Sequence, residues 1–319
     1  MRFNRLDLNL LVALDALLKL RSISKAAEQL HMSQSAMSGA LARLREYFDD
    51  ELLAQVGRRM DLTPRAELLK EAVGDLLLRL DTTITASPHF DASTSDREFR
   101  VLASDFTTIA LMPHVLHLAR RSPARFKFMP LVTEPQRALE LGEADLLVIP
   151  DIYCSPNHPS ATLFEERFVC VAWRESRHAR RPLTLDAYLA CGHVMMETAS
   201  AIQQSFEAQL VMRQGHTRRV EVTTTSFAAA AHLVVGTDRL ATMHARLARL
   251  YARCLPIVLI EPPMTIEPMQ QMVQWHKYRS QDPGISWLRG LLHEAVAEMD
   301  RVEPSQAAAA GPSHPHGAA

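Results

Sequence analysis

The amino-acid sequence predicts an α/β domain preceded by an all-α winged helix-turn-helix domain and a long connecting helix. Three observations carry this prediction. Residues 1–86 follow a helical pattern throughout, and a tight turn separates two short helices inside that range. From Arg97 onward, short apolar runs alternate with helical ones, which is typical of a parallel sheet covered by helices. The 319 residues also allow more than one hydrophobic core.

The first three helices are predicted from their capping residues. Asp7 caps a helix whose apolar side chains fall on one broad face. Ser22 or Ser24 caps a short second helix, and Ser33 caps a third helix that continues to about Phe48. So short a turn between the second and third helices requires them to pack at a steep angle, as in a helix-turn-helix.

The exposed face of the third helix is suited to DNA. It carries no acidic residue before Glu46, so phosphates meet no repulsion there. The Gln34 amide can form two hydrogen bonds with adenine, and arginines nearer the far end can hold phosphates. A hairpin over 52–62 with Gly57 at its tip forms a wing. The residues predicted to contact DNA are Ser24, Ser33, Gln34, Ser35, Ser38, Arg43, Arg45, Arg58 and Arg59. An ordinary helical hairpin with a solvated surface is the alternative.

A connecting helix follows the wing. Thr63 is its predicted cap, and Pro64 stands in the first turn, where its missing N–H is harmless. Apolar side chains then recur at spacings of four, three and four residues, which predicts a seam for a second chain. The alternative is that this face packs on its own domain. The predicted seam consists of Leu69, Val73, Leu76 and Leu80.

The α/β part is predicted from short apolar runs bounded by helical ones. The predicted strands are 99–104, 126–132, 144–149, 169–173, 192–196, 219–224, 239–243 and 256–260. Residues 303–319 consist largely of alanine, proline, histidine and glycine, so we expect a disordered tail.

Composition and motifs exclude several classes of protein. The apolar stretches are too short to span a membrane, and we expect a cytoplasmic chain. The four cysteines form no CxxC pair, which predicts no zinc site. The sequence contains no GxGxxG, GxxxxGK, HExxH or GxSxG, so we expect no cofactor and no enzyme activity. The formal net charge of −1 gives no global sign of nucleic-acid binding, which must rest on local pattern.

Residues 6–64, LDLNLLVALDALLKLRSISKAAEQLHMSQSAMSGALARLREYFDDELLAQVGRRMDLTP, resemble the N-terminal domain of LysR-type transcriptional regulators. The resemblance continues to about Met299. The segments SDFTTIALMP, GEADLLVIP, ATLFEERFVCVAW and VQWHKYRSQDP are similar to the branch that contains the NodD and NahR types. Ser35 departs from the family pattern, where proline is usual, as do Leu53 and Ala54 at the wing.

The resemblance implies a domain organisation and partners. It implies two subdomains like those of periplasmic binding proteins with a small-molecule effector between them, binding to double-stranded DNA, and assembly into a homodimer or homotetramer. RNA polymerase is a further implied partner. The expected domains are 1–63 for DNA binding, 64–86 for the linker helix and 97–301 for effector binding, divided into 97–171 with 274–301 and 174–270.

Open α/β sheets bind ligands where their strands end, which selects candidate effector contacts. The predicted contacts are Ser104, Asp105, Phe106, Thr107, Pro150, Ile152, His193, Ser200, Phe227, Thr242, Met243 and Arg246. They predict apolar walls with few polar anchors, which fits an aromatic or phenolic effector. The relatives respond to flavonoids or to salicylate-type acids, and both classes stay open here. The alternatives are a DNA-bound regulator without a ligand and a small-molecule-binding protein without a DNA role.

Overall fold

The computed structural model describes residues 6–56, 59–80, 89–197 and 205–302. The contacts among them define two compact units, one built from residues up to 80 with 137–143, the other from the remaining described residues. The predicted tail, 303–319, lies outside the described residues. The helices are α1 Leu8–Leu20, α2 Ile23–Gln29, α3 Gln34–Phe48, α4 Pro64–Leu80, α5 Asp105–Ala110, α6 Met112–Leu118, α7 Pro135–Glu140, α8 Leu185–Ala190, α9 Phe206–Arg213, α10 Phe227–Leu233, α11 Ala245–Ala252 and α12 Pro283–Val302.

The strands of the described chain form a hairpin and two sheets of five strands. The strands are β1 Leu53–Val56, β2 Arg59–Leu62, β3 Glu98–Ala103, β4 Arg125–Pro130, β5 Leu146–Pro150, β6 Ser160–Glu166, β7 Phe168–Trp173, β8 Gly192–Met196, β9 Arg219–Thr224, β10 Leu240–His244, β11 Ile257–Ile260 and β12 Met269–Trp275.

The helices α1, α2 and α3 begin at side-chain caps. The carboxylate of Asp7 and the hydroxyl of Ser33 each accept a hydrogen bond from the backbone N–H three residues later, at 2.8 and 3.1 Å. Ser22 caps α2 in the same way, so Ser24 lies inside the helix. These caps satisfy backbone donors that a helix start leaves without a partner.

The core of the first unit joins these three helices to α4 and to the hairpin. Met37 and the leucines of α1 and α3 are buried, and the small Ala26 and Ala27 let the helices approach closely. The strands β1 and β2 pair antiparallel with Leu53 opposite Leu62. The hairpin that was predicted as a wing is therefore anchored in the same core as α3.

The second unit contains both five-stranded sheets. The first has the order β4-β3-β5-β12-β6, with β3 parallel to β4 and β5 and with β12 antiparallel to both its neighbours. The second has the order β11-β7-β10-β8-β9, in which β8 is parallel to β9 and β10. Since the neighbouring strands β3 and β5, and likewise β8 and β10, run parallel, their carboxyl ends share one edge of each sheet.

The crossings between the two sheets differ from the predicted positions. The chain leaves the first sheet after β6 and enters the second at β7, with only Arg167 between them, whereas the sequence predicted a crossing at 171–174. It returns between β11 and β12, before the boundary at 270–274 that the expected subdomains imply. The charged Glu165, Glu166 and Arg167 separate the apolar parts of β6 and β7. Because β6 was not among the predicted strands, the crossing was not placed there.

No helix among the described residues has both the length and the apolar character needed to cross a lipid bilayer.

Candidate functional site

The amino-terminal part of α3 presents a polar surface to solvent. Gln34, Ser35 and Ser38 are exposed, while Met37 and Leu41 on the opposite side are buried. Ser33 caps the helix and its hydroxyl lies 3.0 Å from that of Ser35. The capped helix start and the buried opposite side hold the exposed amide and hydroxyls on a rigid support, which base readout in a major groove requires.

The two arginines predicted on α3 have different surroundings. Arg43 is exposed and forms an ion pair of 3.3 Å with Asp7, an exposed contact that is worth little and leaves the guanidinium accessible. Arg45 instead donates to the backbone oxygens of Glu51 and Leu53, both at 2.9 Å. Two of the Arg45 donors, Nε and Nη2, therefore hold the turn between α3 and β1, and its phosphate contact stays a prediction.

The wing is tied to α4 by a small hydrogen-bonded cluster. The Asp50 carboxylate accepts hydrogen bonds from the Thr63 hydroxyl and from the backbone N–H of Leu52, both at 2.7 Å, and these bonds lower the pKa of Asp50. Arg59 is exposed at the start of β2. Arg58, also predicted to contact DNA, lies outside the described residues.

A cavity of about 190 Å³ lies between the two sheets of the second unit. It is bordered by the carboxyl ends of β3, β5, β8 and β10 and by the first residues of α9 and α10. The wall is mainly apolar. Its lining residues are Ser104, Phe106, Leu131, Val132, Thr133, Pro135, Gln136, Val148, Ile149, Pro150, Tyr153, Phe168, Met196, Ser205, Phe206, Glu207, Phe227, His244, Met269 and Gln271.

An aromatic cluster forms one side of the cavity around His244. Its imidazole stacks on the Phe106 ring with a centroid distance of 3.8 Å and an interplanar angle of 5°. The Phe227 ring meets it edge-on at 4.5 Å, and Phe168 lies at 5.2 Å. Complete burial among these rings lowers the pKa of His244 to about 3, so the imidazole is neutral near pH 7.

Among the described residues of the cavity wall, two buried polar atoms have no hydrogen-bond partner. One is Nδ1 of His244 and the other is Oε1 of Gln271. The Gln271 amide nitrogen donates to the hydroxyl of Thr107 at 3.2 Å, which holds the amide in place. An unsatisfied buried polar atom costs free energy, so both atoms are candidates for pairing with a bound molecule.

Comparison with known proteins assigns the chain to a family. Residues 8–67 match the family described as bacterial regulatory helix-turn-helix protein, lysR family, and residues 79–297 match the LysR substrate binding domain. Nodulation protein D 1 of Bradyrhizobium elkanii is 40% identical over 311 residues, which cover 96% of this chain and 99% of that protein. The chain belongs to the LysR family of transcriptional regulators.

Solved structures agree with this membership. A probable transcriptional regulator from Pseudomonas aeruginosa is 31% identical, with a TM-score of 0.65, over 92% of this chain and 98% of its own. Full-length CbnR in complex with its target DNA has the same fold, with a TM-score of 0.60 at 16% identity, over 92% of this chain and 100% of its own. As a LysR-type regulator, the chain combines a DNA-binding helix-turn-helix with an effector-binding domain of two α/β subdomains.

Four of the predicted effector contacts line the cavity of this LysR-type domain: Ser104, Phe106, Pro150 and Phe227. Ser104 follows β3 directly, Pro150 is the last residue of β5, and Phe106 and Phe227 stand in the first turns of α5 and α10. Ser200 lies outside the described residues. For the four lining residues, contact with an effector stays a prediction.

The other predicted contacts next to these lining residues do not line the cavity. Asp105 accepts hydrogen bonds from the Ser226 hydroxyl at 2.7 Å and from the backbone N–H of Ala228 at 3.0 Å, so its carboxylate caps α10 instead of lining the cavity. Thr107 is fully buried behind Gln271. Ile152 is exposed to solvent, and its neighbour in the chain lines the cavity instead.

Three predicted contacts on the second sheet also lie away from the cavity wall. Nε2 of His193 lies 2.7 Å from the Tyr188 carbonyl oxygen, and burial lowers the pKa of His193 to about 4. The Thr242 hydroxyl lies 2.8 Å from the Tyr188 hydroxyl. Met243 belongs to the apolar core. The strand-end rule thus placed these side chains too early along their strands.

The prediction for Arg246 is wrong because its charge is already paired. Its guanidinium forms ion pairs of 2.5 Å with Glu166 and 2.8 Å with Asp300 and also contacts the backbone oxygen of Glu165. Arg246 is buried and does not line the cavity. It is therefore not available to bind a carboxylate or phenolate ligand there.

The sequence did not single out several residues that line the cavity. Tyr153, Phe206, Glu207, His244 and Gln271 all belong to its wall. His244 ends β10 and could have been found by the same strand-end rule, applied one residue later. Gln271 lies on β12, a strand that was not predicted, so no sequence signal pointed to it.

Buried neutral histidines predict acid sensitivity of this LysR-type protein. In the unfolded chain His244 and His193 take up protons near pH 6.5, whereas the folded state holds them neutral down to about pH 3 and about pH 4. Stability that is present above pH 6.5 is therefore lost as the pH falls, by about 1.5 kcal/mol per histidine between about pH 6.5 and about pH 5. Urea unfolding at a series of pH values measures this slope.

His244→Phe separates the contribution of His244 to this pH dependence from that of His193. The phenyl ring keeps an aromatic group in the stack with Phe106 and removes the titrating nitrogen. We expect unfolding of this variant to take up about one proton fewer in this pH range, so its unfolding free energy should change less with pH. An unchanged slope in a folded variant would show that His244 is not held neutral.

Proposed function

We propose that this LysR-type regulator responds to a neutral, planar aromatic molecule that carries phenolic hydroxyl groups and binds in the cavity between the two sheets. Rings of Phe106, Phe168, Phe206 and Phe227 in the wall offer flat apolar faces to such a molecule. A wall of apolar side chains with few polar groups is typical of small-molecule sites.

The lack of a cation among the described wall residues carries the proposal, because it selects the neutral class of ligand. The lining contains no lysine or arginine, and its one carboxylate, Glu207, offers no positive charge to an anion. The sequence of 198–204, which precedes Ser205, has no lysine or arginine either. Burial of an aromatic carboxylate without a partner costs several kcal/mol. A phenol of the flavonoid kind is therefore favoured over a salicylate-type acid.

The polar atoms of His244 and Gln271 that lack a partner are shielded in the structure, and they become anchors for a neutral ligand when these side chains turn toward it. The amide oxygen of Gln271 can accept from a hydroxyl, and the neutral imidazole of His244 can accept or donate according to its tautomer. The name of the relatives at 40% identity, nodulation protein D, is compatible with either ligand class, so the choice rests on the wall itself.

A thermal-shift series tests the ligand class. We expect hydroxylated flavones and naphthols to raise the melting temperature of the protein, because a ligand that binds only the folded state stabilises it. Benzoate and salicylate at the same concentrations should leave it unchanged. Stabilisation by the aromatic acids alone would overturn the proposal.

Phe227→Ala tests where the aromatic ligand binds. Removal of a ring from the wall should raise the dissociation constant of a stabilising phenol about tenfold, because a ring contact is worth about 1 to 2 kcal/mol. Leu233→Ala is the matched control, since Leu233 ends the same helix, is partly exposed and does not line the cavity. Isothermal titration of both variants measures the difference; equal loss in both would contradict this location.

The DNA contacts and their coupling to the ligand complete the proposal. The exposed start of α3 reads bases, and Arg43 with the wing holds phosphates; CbnR, which shares the fold, was solved with its target DNA. Ligand closure of the cleft would change the spacing of paired recognition helices and so the bend of DNA presented to RNA polymerase. Identical footprints on the protein's own upstream region with and without a bound phenol would refute this coupling.

A further inference from the structure

A buried ion pair joins Glu207, a residue of the cavity wall, to Arg218, which does not line the cavity. Glu207, the second residue of α9, is 2% exposed, and the side chain of Arg218 is 4% exposed. Nη2 of Arg218 lies 3.4 Å from Oε2 of Glu207. The Ser205 hydroxyl donates to the same Oε2 at 2.9 Å. Both hydrogen bonds to this carboxylate therefore reach one of its two oxygens.

The second oxygen of the carboxylate is available to the cavity. Glu207 lines the cavity, and its Oε1 accepts no hydrogen bond from the described residues. Oε1 is also absent from the polar atoms that are completely shielded without a partner. A carboxylate oxygen of this kind accepts a hydrogen bond from a hydroxyl more strongly than a neutral acceptor does.

The carboxylate is held from behind, so it cannot turn away from the cavity at little cost. Arg218 also donates from Nη1 to the Tyr188 hydroxyl at 3.3 Å, and that hydroxyl lies 2.8 Å from the Thr242 hydroxyl. Burial raises the pKa of Glu207, while the Arg218 guanidinium opposes this by stabilising the charged form. The network that surrounds Thr242 thus supports a wall residue, although Thr242 itself lies outside the cavity.

We propose that Glu207 is the specificity-determining acceptor for a hydroxyl group of the aromatic effector, positioned by Arg218 and Ser205. The proposal rests on the aromatic ligand class proposed above. A bound hydroxyl donates to Oε1, whereas hydrogen at the same ring position leaves the buried carboxylate oxygen without a partner. A site built in this way rejects the ligand that lacks the donor, because the unpaired buried acceptor costs free energy.

Matched ligand pairs and Glu207→Gln test the proposal. The probes are flavone with its monohydroxylated isomers and naphthalene with its two naphthols. For the wild-type protein, we expect the best hydroxylated isomer to bind about 10 to 100 times more tightly than its parent. In Glu207→Gln, a neutral amide replaces the charged acceptor, so the ratio between the affinities of the hydroxylated probe and its parent should fall about tenfold.

Glu166→Gln is the matched control, because it also neutralises a buried carboxylate that is paired with an arginine, Arg246, outside this cavity. It should leave the hydroxyl preference unchanged, whatever it does to stability. If Glu166→Gln alters the preference as much as Glu207→Gln, the effect is a general loss of stability and the inference is wrong.

The outcomes separate this inference from the proposed function. If neither the parents nor the hydroxylated probes bind the wild-type protein, the aromatic ligand class is wrong. If both bind with equal affinity, or if Glu207→Gln keeps the full hydroxyl preference, the ligand class stands and the role of Glu207 is refuted. Should Glu207→Gln fail to fold, Ser205→Ala takes its place, because it removes the hydroxyl that positions the Glu207 carboxylate. A hydroxyl preference that is unchanged in Ser205→Ala, or below about threefold in the wild-type protein, refutes the role of Glu207.

Discussion

Replacement of both wing arginines, Arg58→Ala with Arg59→Ala, should weaken binding to every DNA duplex by about 10- to 100-fold. Phosphate contacts carry no sequence information, so specific and arbitrary duplexes lose affinity together. For each phosphate contact that is lost, binding releases about one counterion fewer from the DNA. The slope of log Kd against log salt concentration should therefore fall by about two. Fluorescence anisotropy on the protein's own upstream region and on an arbitrary duplex, at several salt concentrations, measures both effects.

Gln34→Ala should weaken binding to the specific site and not to arbitrary duplex, in contrast to the arginine variant. Gln34 is exposed at the first position of α3, behind the cap of Ser33. Loss of a two-hydrogen-bond contact with a base should lower affinity for the specific site by roughly 1 to 3 kcal/mol and leave arbitrary duplex unaffected. Arg181→Ala, at an exposed arginine of the second unit, is the control for loss of positive charge in the Arg58 and Arg59 variant. A reversal of the two profiles would overturn the assignment of base and phosphate contacts.

The helix-turn-helix was predictable because its signals are local. A cap at Ser33, a polar face and the buried positions of Met37 and Leu41 all lie within one helix, and the structure places them as the pattern requires. The surroundings of Arg45, in contrast, could not be predicted from the pattern of α3 alone. Its donors are used by the backbone oxygens of Glu51 and Leu53, and an exposed position on a helical projection does not reveal that a following turn folds back onto it.

The cavity was predictable only in part because it depends on long-range pairing. The rule that ligands lie at strand ends found Ser104 and Phe227, both close to the ends of correctly predicted strands. Gln271 was missed with the strand that carries it. The burial of Arg246 depends on Glu166 and Asp300, which are far from it in the sequence, so no local pattern distinguishes a paired arginine from a ligand-binding one.

The connecting helix shows a further reason why the sequence was insufficient. Apolar residues of α4 lie on two faces, one packed on the core of the same chain and one exposed. Val73 is buried and Leu69 packs against the core of the same chain, so the alternative that this face covers its own domain holds for half of the predicted seam. Leu68 is 79% exposed and Leu76 is 43% exposed. The exposed apolar face of α4 therefore contains Leu68 in place of the predicted Leu69, and it shares Leu76 with the predicted seam.

Leu68→Asp combined with Leu76→Asp should convert the expected homodimer into monomers. We propose that Leu68, Ala72 and Leu76, which are spaced four residues apart and exposed, pack against the same face of a second chain. A symmetric dimer contains each substitution twice, so four leucines are lost and four charges are introduced. At about 1.5 kcal/mol or more for each leucine, the dimer dissociation constant should rise on the order of 1,000-fold or more.

DNA binding should fall together with dimer formation, by on the order of 100-fold or more, because a monomer reads one half-site and loses the contacts of its partner. Sedimentation velocity gives the oligomeric state, and anisotropy on the same samples gives the affinity. Leu116→Asp is the matched control, since Leu116 is similarly exposed on α6 of the second unit. A doubly substituted protein that stays dimeric would place the interface elsewhere. Val73→Asp would not test the seam, because a charge at that buried position disrupts the packing of α4 on its own core.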